Sequence, residues 1–190
     1  VKQGRIEREP AEVLVLTHFD GDSLNDQAAA VDRALGGQLR GLLKNGEFEG
    51  KLNQAVLLHT SGKAAAKRVL LVGLGKKKDA RVDYVRQAMG TAVKRVRQAG
   101  GGSFVTCLHG EDLSKTTAVE LAQALKDGAL VTRTDNAVVL TDAVGVIVWV
   151  NEGFIRLTGY SLEEVTGKKD VLDKIYGENL DKINEKLKEL

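Results

Sequence analysis

Four scarcities shape the reading of this 190-residue chain. It has one proline, Pro10, which excludes proline-rich and collagen-like segments. It has one cysteine, Cys107, which excludes an intramolecular disulfide framework and a thiolate-rich zinc or iron–sulfur centre. Aromatic residues are 4% of the chain. No apolar run approaches the roughly 20 residues that span a bilayer, and Val1 opens no signal peptide, so no membrane partner is expected. What is present, 43% hydrophobic and 28% charged residues, has the balance of a soluble globular protein rather than a disordered chain. A reducing compartment, the cytoplasm, is the expected location.

The net charge of +2 conceals an asymmetry. Residues 1–132 carry 20 basic and 15 acidic side chains, whereas residues 133–190 carry 8 and 11. The aromatics shift too: Phe19, Phe48, Tyr84 and Phe104 serve the long first part, and Trp149, Phe154, Tyr160 and Tyr176 the short second one. Composition therefore divides the chain near residue 132 into segments 1–132 and 133–190.

Apolar runs at 11–19 (AEVLVLTHF), 54–60 (QAVLLHT), 68–74 (RVLLVGL) and 103–110 (SFVTCLHG) read as strands of a sheet covered on both faces. Residues 26–43 have helical spacing broken at Gly36-Gly37, with Ser23 or Asn25 as the cap. The clearest helix is 79–99, where Val82, Val85, Met89, Ala92, Val93 and Val96 form one stripe and Gly100–Gly102 ends it. A further amphipathic helix spans 116–127. Strands alternating with helices imply an α/β layer structure around a largely parallel sheet.

Beyond Thr132 the pattern changes. Residues 137–150 read as a hairpin, followed by a short helix through Gly153–Leu157 and a turn at 158–160. Ser161 and Glu164 have capping-box spacing. The tail from Lys169 places Leu172, Ile175, Tyr176, Leu180, Ile183, Leu187 and Leu190 on one face. That stripe has two open destinations: the uncovered face of the hairpin, or a second copy of the chain in a homo-oligomer.

Residues 1–132 resemble the N-terminal domain of leucyl aminopeptidases, through AEVLVLTHF, GEFEGKLNQAVLLHT, KRVLLVGLGKK, RQAMGTAVKRVRQAG and TTAVELAQALKDGALVT in that order. The resemblance implies a macro-like three-layer α/β/α sandwich. It also implies that the chemistry lies elsewhere, since that family keeps its metal ligands, catalytic lysine and bicarbonate-binding arginine in a separate C-terminal domain. The family's Asn-Thr-Asp-Ala-Glu-Gly-Arg-Leu string is missing; LTDAVGVIV at 140–148 carries Val144 where the glutamate would stand. No catalytic, cofactor-binding or metal-binding residues are therefore assigned, and no cofactor is expected.

Residues 135–168 resemble the opening of a PAS domain, the sensory fold that includes flavin-binding LOV photoreceptors. The string NEGFIRLTGYSLEEVTGK supplies Asn151, Phe154, Thr158, Gly159, Tyr160, Glu163, Glu164, Gly167 and Lys168 at the family's positions. The LOV Asn-Cys-Arg-Phe string is absent, so no flavin is expected. The expected architecture is the sandwich with a PAS-type hairpin and helices appended, a chimera without enzymatic function. A truncated aminopeptidase keeping an assembly or DNA-binding role, and a PAS-type ligand or light sensor, are the alternatives.

Sharper readings of single features are outweighed by plainer ones. The GLG at 73–75 lacks the G-x-G-x-x-G spacing of a phosphate cradle and reads as a strand-end turn. Lys76–Lys78, Arg81, Arg86, Lys94, Arg95 and Arg97 form a basic surface of the kind that meets DNA, yet Tyr84 is the single aromatic among them, too little for base stacking along a strand. A solvated helix face is the better reading, and nucleic acid is not expected as a partner. His18, His59 and His109 fall on three separate strands and read as strand-end residues. Cys107 reads as apolar filler, and Asp142 and Asn151 as turn residues. Trp149 is expected to be buried where the two segments meet.

Overall fold

The computed structural model describes residues 8, 10–107, 120, 123–124, 127, 137–141, 146–168 and 171. Its frame is one six-stranded sheet. The strands are β1 (Val13–Asp20), β2 (Ala55–His59), β3 (Arg68–Lys76), β4 (Ser103–Cys107), β5 (Ala137–Thr141) and β6 (Ile147–Val150). Their spatial order is β2-β3-β1-β4-β5-β6. The inner four run parallel, and β2 and β6 close the two sides antiparallel.

The strands form where valine and leucine fill consecutive positions, because β-branched and apolar side chains suit a pleated surface buried on both faces. In β1, Val13–Leu16 are wholly buried. Alternate residues feed two cores. Leu14, Leu16, Val69, Leu71, Val105 and Val139 meet Val31, Leu35, Leu39 and Phe154 on one side. Val13, Val15, Leu70, Val72, Phe104, Val138 and Leu140 meet Val85, Met89, Val93 and Val96 on the other. The result is the expected α/β/α sandwich.

Helix α1 (Asp26–Ala34) starts at Asn25, whose side chain accepts from the Ala28 N–H at 2.8 Å. Gly36 and Gly37 then take positive φ of 69° and 87°, and α2 (Gln38–Lys44) begins on a new axis. Asp32, 1% exposed, secures the break by accepting from the Arg40 N–H at 3.1 Å while Arg40 Nε lies 3.1 Å from its other oxygen. Helix α3 (Val82–Gln98) buries the predicted stripe from Val85 to Val96, while Val82 at its start is only partly buried. Of the helix read at 116–127, Glu120, Gln123, Ala124 and Asp127 are helical and the remainder lies outside the described residues.

The segment beyond residue 132 joins the same sheet. Strand β5 pairs in parallel with β4 from Ser103↔Ala137 to Cys107↔Thr141, and the Ala137 N–H donates to Gly102 O at 2.7 Å. Helix α4 (Glu152–Thr158) lays Phe154, 1% exposed, into the core shared with α1 and α2. Helix α5 (Leu162–Val165) opens with the predicted capping box of Ser161 and Glu164. After it, the Gly167 N–H donates to Ile147 O and the Ile147 N–H to Lys168 O, which covers part of the β6 edge.

Two expectations change. The apolar run of β2 is only half-buried, because β2 is an edge strand rather than one covered on both sides. Trp149 is also half-buried: it packs beside the α3-facing core on the outermost strand, one strand away from the seam between segments. The C-terminal stripe from Leu172 to Leu190 lies outside the described residues.

Candidate functional site

In open sheets of this kind a ligand crevice forms beyond the carboxyl ends of the strands, where the chain reverses its direction of travel across the sheet. Here that point lies at β1, whose neighbours are β3 on one side and β4 on the other. The groups at its carboxyl end are His18, Phe19, Asp20 and Asp22, with Phe48 and the 48–54 loop folded over them.

His18 is 4% exposed, and its ring lies 6.0 Å from that of Phe48 at a tilt of 49°. Its Nε2 is buried with no hydrogen-bond partner among the described residues. Burial pushes the imidazole below the usual histidine range, while Asp22 and Asp20 pull it partly back. Folding therefore favours the neutral ring over the protonated one. Because the unfolded chain takes up the proton at higher pH than the folded chain, stability is complete above about pH 6.5 and falls as pH drops through that value. Urea midpoints measured from pH 8 to 5 should decline for the native chain, and the slope should shrink in His18→Gln. An equal slope in both would remove His18 as the cause.

The GLG segment is a place of close backbone approach. Gly73 and Gly75 lie inside β3 rather than in a turn beyond it. A Cβ on Gly73 would stand 2.0 Å from Lys51 O and 2.6 Å from Gly50 C. Opposite, Gly50 takes φ +89°, and a Cβ there would stand 2.8 Å from Asp20 N. Hydrogen bonds seal the crossing: Gly73 N–H to Gln54 O at 2.8 Å, Asn53 N–H to Gly73 O at 3.0 Å and Gly75 N–H to Gly50 O at 2.9 Å. The Gln54 side chain holds the loop tip, its Oε1 accepting from the N–H groups of Glu49, Gly50 and Lys51 at 2.9, 3.1 and 3.3 Å. The backbone at Gly50 and Lys51 thus packs directly against Gly73.

The other candidates are dispersed. His59 ends β2 in an exposed position, separated from His18 by strand β3, and His109 lies outside the described residues. Cys107 ends β4 in register with Thr141. Among the described residues, no group of three or more His, Cys, Asp or Glu side chains could hold a metal ion. The basic residues of α3 and the preceding turn are largely exposed and partly paired: Arg86 with Asp83 at 2.9 Å and Asp127 at 3.5 Å, and Lys77 with Asp22 at 3.7 Å. Arg81 sits 5.2 Å from the Tyr84 ring centroid.

Asn151 has more work than a turn residue. Its Oδ1 caps α4 by accepting from the Phe154 N–H at 2.9 Å, and also accepts from the Val138 N–H at 2.7 Å. Its own N–H donates to Val138 O at 3.1 Å. One side chain thus ties β5, the end of β6 and α4 together. Asp142, the partner considered for it, lies outside the described residues.

A second knot escaped the sequence reading. Glu12 accepts from Arg68 Nη2 at 2.9 Å through one oxygen, and from the Gly102 and Ser103 N–H groups at 2.6 and 3.1 Å through the other. Arg68 also donates to Ala99 O at 2.7 Å. This half-buried cluster binds the amino ends of β1, β3 and β4 to the end of α3. Nothing in local spacing announces it, since Glu12 and Arg68 are 56 residues apart.

With the geometry in place, comparison with known proteins becomes informative. A family model described as "Cytosol aminopeptidase family, N-terminal domain" matches residues 15–133, and one described as "PAS fold" matches residues 122–188. The PAS match extends 20 residues past the motif that ends at Lys168. A probable cytosol aminopeptidase of Methylobacillus flagellatus is 33% identical over 127 residues, covering 66% of this chain and 26% of the relative. One from Geobacter sp. is 48% identical over 77 residues, covering 40% and 16%. The chain thus spans about a quarter or less of the length of these relatives.

Among solved structures, a mutant macrodomain of Oceanobacillus iheyensis superposes with a TM-score of 0.60 at 14% identity, covering 97% of this chain and 91% of that one. The macrodomain of Mycobacterium tuberculosis DarG gives 0.59 at 16% identity, covering 72% and 92%. The bottromycin maturation enzyme BotP gives 0.51 at 22%, covering 69% of this chain and 27% of the enzyme. At these identities the likeness is one of fold, and it establishes the macro-like sandwich. Since the N-terminal-domain match takes in well over half of its residues, the chain belongs to the cytosol aminopeptidase family, with a segment of PAS type completing its sheet.

Proposed function

We propose that this chain is a non-catalytic chimera in which a PAS-type segment finishes a sandwich begun by an aminopeptidase N-terminal domain. The observation that carries this reading is the β4–β5 pairing, a continuous parallel ladder from Ser103↔Ala137 to Cys107↔Thr141 between the two kinds of sequence. The hairpin, α4 and α5 take up structural work: Phe154 and Val165 fill the core beside α1 and α2. The macrodomain superposition over 97% of the chain fits this role, because it accommodates both segments in one fold. Artificial origin is part of the reading, as is self-association through the stripe at 172–190. A sedimenting mass of 20.5 kDa would remove the latter.

The catalytic reading has a direct test. Hydrolysis of leucine para-nitroanilide by the purified chain in excess manganese should equal the buffer blank. A two-metal peptidase needs several carboxylates and a lysine around the ions, and turnover abolished by a chelator would overturn the proposal.

A further inference from the structure

At the opposite, amino-terminal edge of the sheet, an open groove runs between α1 and the connection from β2 to β3. Its volume is about 590 Å³, within the range of roughly 300–1,000 Å³ common for small-molecule sites. Arg8, Arg33 and Lys63 line it among alanines of α1 and the stretch 62–65, and among the described residues no carboxylate joins them. Elsewhere Arg40, Lys51, Arg68, Lys77, Arg86 and Arg156 each have an acidic partner, whereas Lys44, Lys67, Lys76, Lys78, Lys94, Arg95 and Arg97 have none among the described residues. The three groove cations have none among the described residues.

One wall of the groove is held in shape by the chain itself. Thr60 is 2% exposed, and its Oγ1 lies 2.7 Å from Ala66 O and 3.0 Å from Lys67 O, closing the loop at its base. The Thr60 N–H donates to Lys67 O, and the Lys63 N–H returns to Thr60 O at 3.0 Å. Ser61 and Gly62 both adopt positive φ, 51° and 79°. A left-handed serine is uncommon and persists only where its surroundings impose it. The N–H groups of Gly62, Ala64 and Ala65, all lining residues, have no partner among the described residues.

We propose that this groove binds a compact polyphosphate, such as the diphosphate of a small phosphorylated molecule. Phosphate oxygens accept both from backbone N–H groups and from guanidinium and ammonium donors, and the arginine fork can engage two oxygens at once. An anion seated among three like charges relieves their mutual repulsion, and the small alanine side chains leave room beside it. This proposal is independent of the chimera reading and concerns the other end of the strands from His18.

Inorganic pyrophosphate titrated calorimetrically into the whole chain at low salt should saturate at one site per chain. Lys63→Gln should weaken binding about tenfold, the scale of one charge-assisted hydrogen bond. Arg33→Gln should do the same, but Arg33 also stands in the last turn of α1, where a cation favours the helix. Lys63→Gln is therefore the decisive variant, with an unchanged circular dichroism spectrum as its folding control. Lys94→Gln, on the exposed face of α3, should bind like the native chain. Absence of saturation would overturn the proposal, as would equal weakening by Lys94→Gln. Sulfate binding as tightly as pyrophosphate would show only a general anion surface. Displacement of pyrophosphate by a single-stranded oligonucleotide, with a steep loss of oligonucleotide affinity in salt, would reassign the groove to nucleic acid.

Discussion

Replacing Gly73 by alanine should cost about 4 kcal/mol or more, placing it among the most damaging single substitutions available to this fold. The added methyl would overlap Lys51 O and the Gly50 carbonyl group, both backbone atoms that cannot rotate away. The 50–53 segment would have to lift off β3. It would then surrender the bonds from Gly73 to Gln54, Asn53 to Gly73 and Gly75 to Gly50. It would also disturb Phe48, which is wholly buried. Gly75→Ala is the instructive comparison. Its φ is +75° and a Cβ there meets Leu52 Cβ at 3.4 Å, so strain rather than collision dominates. A left-handed alanine costs about 1–2 kcal/mol. Urea unfolding of the two variants should rank them clearly, and equal midpoints would mean the loop yields and the crossing is not rigid.

The second large effect is expected at Asn151, on the other side of the seam. Asn151→Ala removes the cap of α4, worth about 1 kcal/mol, and leaves the buried Val138 N–H without its acceptor, at a cost of about 1–3 kcal/mol. A total near 3 kcal/mol is expected. Asn151→Asp keeps an oxygen in the same place and should lose less than half as much, since aspartate is also a good N-cap. If alanine and aspartate cost the same, the oxygen is not what matters at this position. Chemical denaturation monitored by Trp149 fluorescence suits the comparison, because Trp149 lies on β6, two residues before Asn151.

These positions also show where sequence logic stops. The strands were legible because runs such as VLVL at 13–16 leave few alternatives to a strand buried on both faces. The break between α1 and α2 was legible because Gly36-Gly37 is a local signal, as was the box at Ser161; the cap of α1 was legible only as Ser23 or Asn25, and the structure selects Asn25. The order of strands was not. Whether β2 is covered or lies at an edge depends on partners far along the chain, and an apolar run looks the same in either place. Trp149 illustrates the same limit: its burial follows from the placement of β6, not from the hairpin itself. The Glu12–Arg68 knot joins residues brought together only by β1–β3 pairing.

The carboxyl edge was legible in part. The glycines at 73 and 75 stood out, but their purpose, close passage of the 50–53 backbone, is a tertiary fact. At Asn151 the turn reading misses two roles: the cap of α4, a local signal that the sequence does carry, and the bond to Val138, which spans the hairpin and has no local signal. His18 was placed on the right strand, but its burial against Phe48 depends on a loop 30 residues away.

The central claim is that the aminopeptidase-type and PAS-type segments form one sheet and therefore one cooperative unit. Equilibrium urea unfolding followed simultaneously by Trp149 fluorescence and by far-ultraviolet circular dichroism tests it most directly, the first reporting β6 and the second the whole backbone. A shared core predicts superimposable transitions with one midpoint. A fluorescence change complete at lower urea, while most of the dichroism persists, would show that the PAS-type segment is only attached to the sandwich and does not complete it.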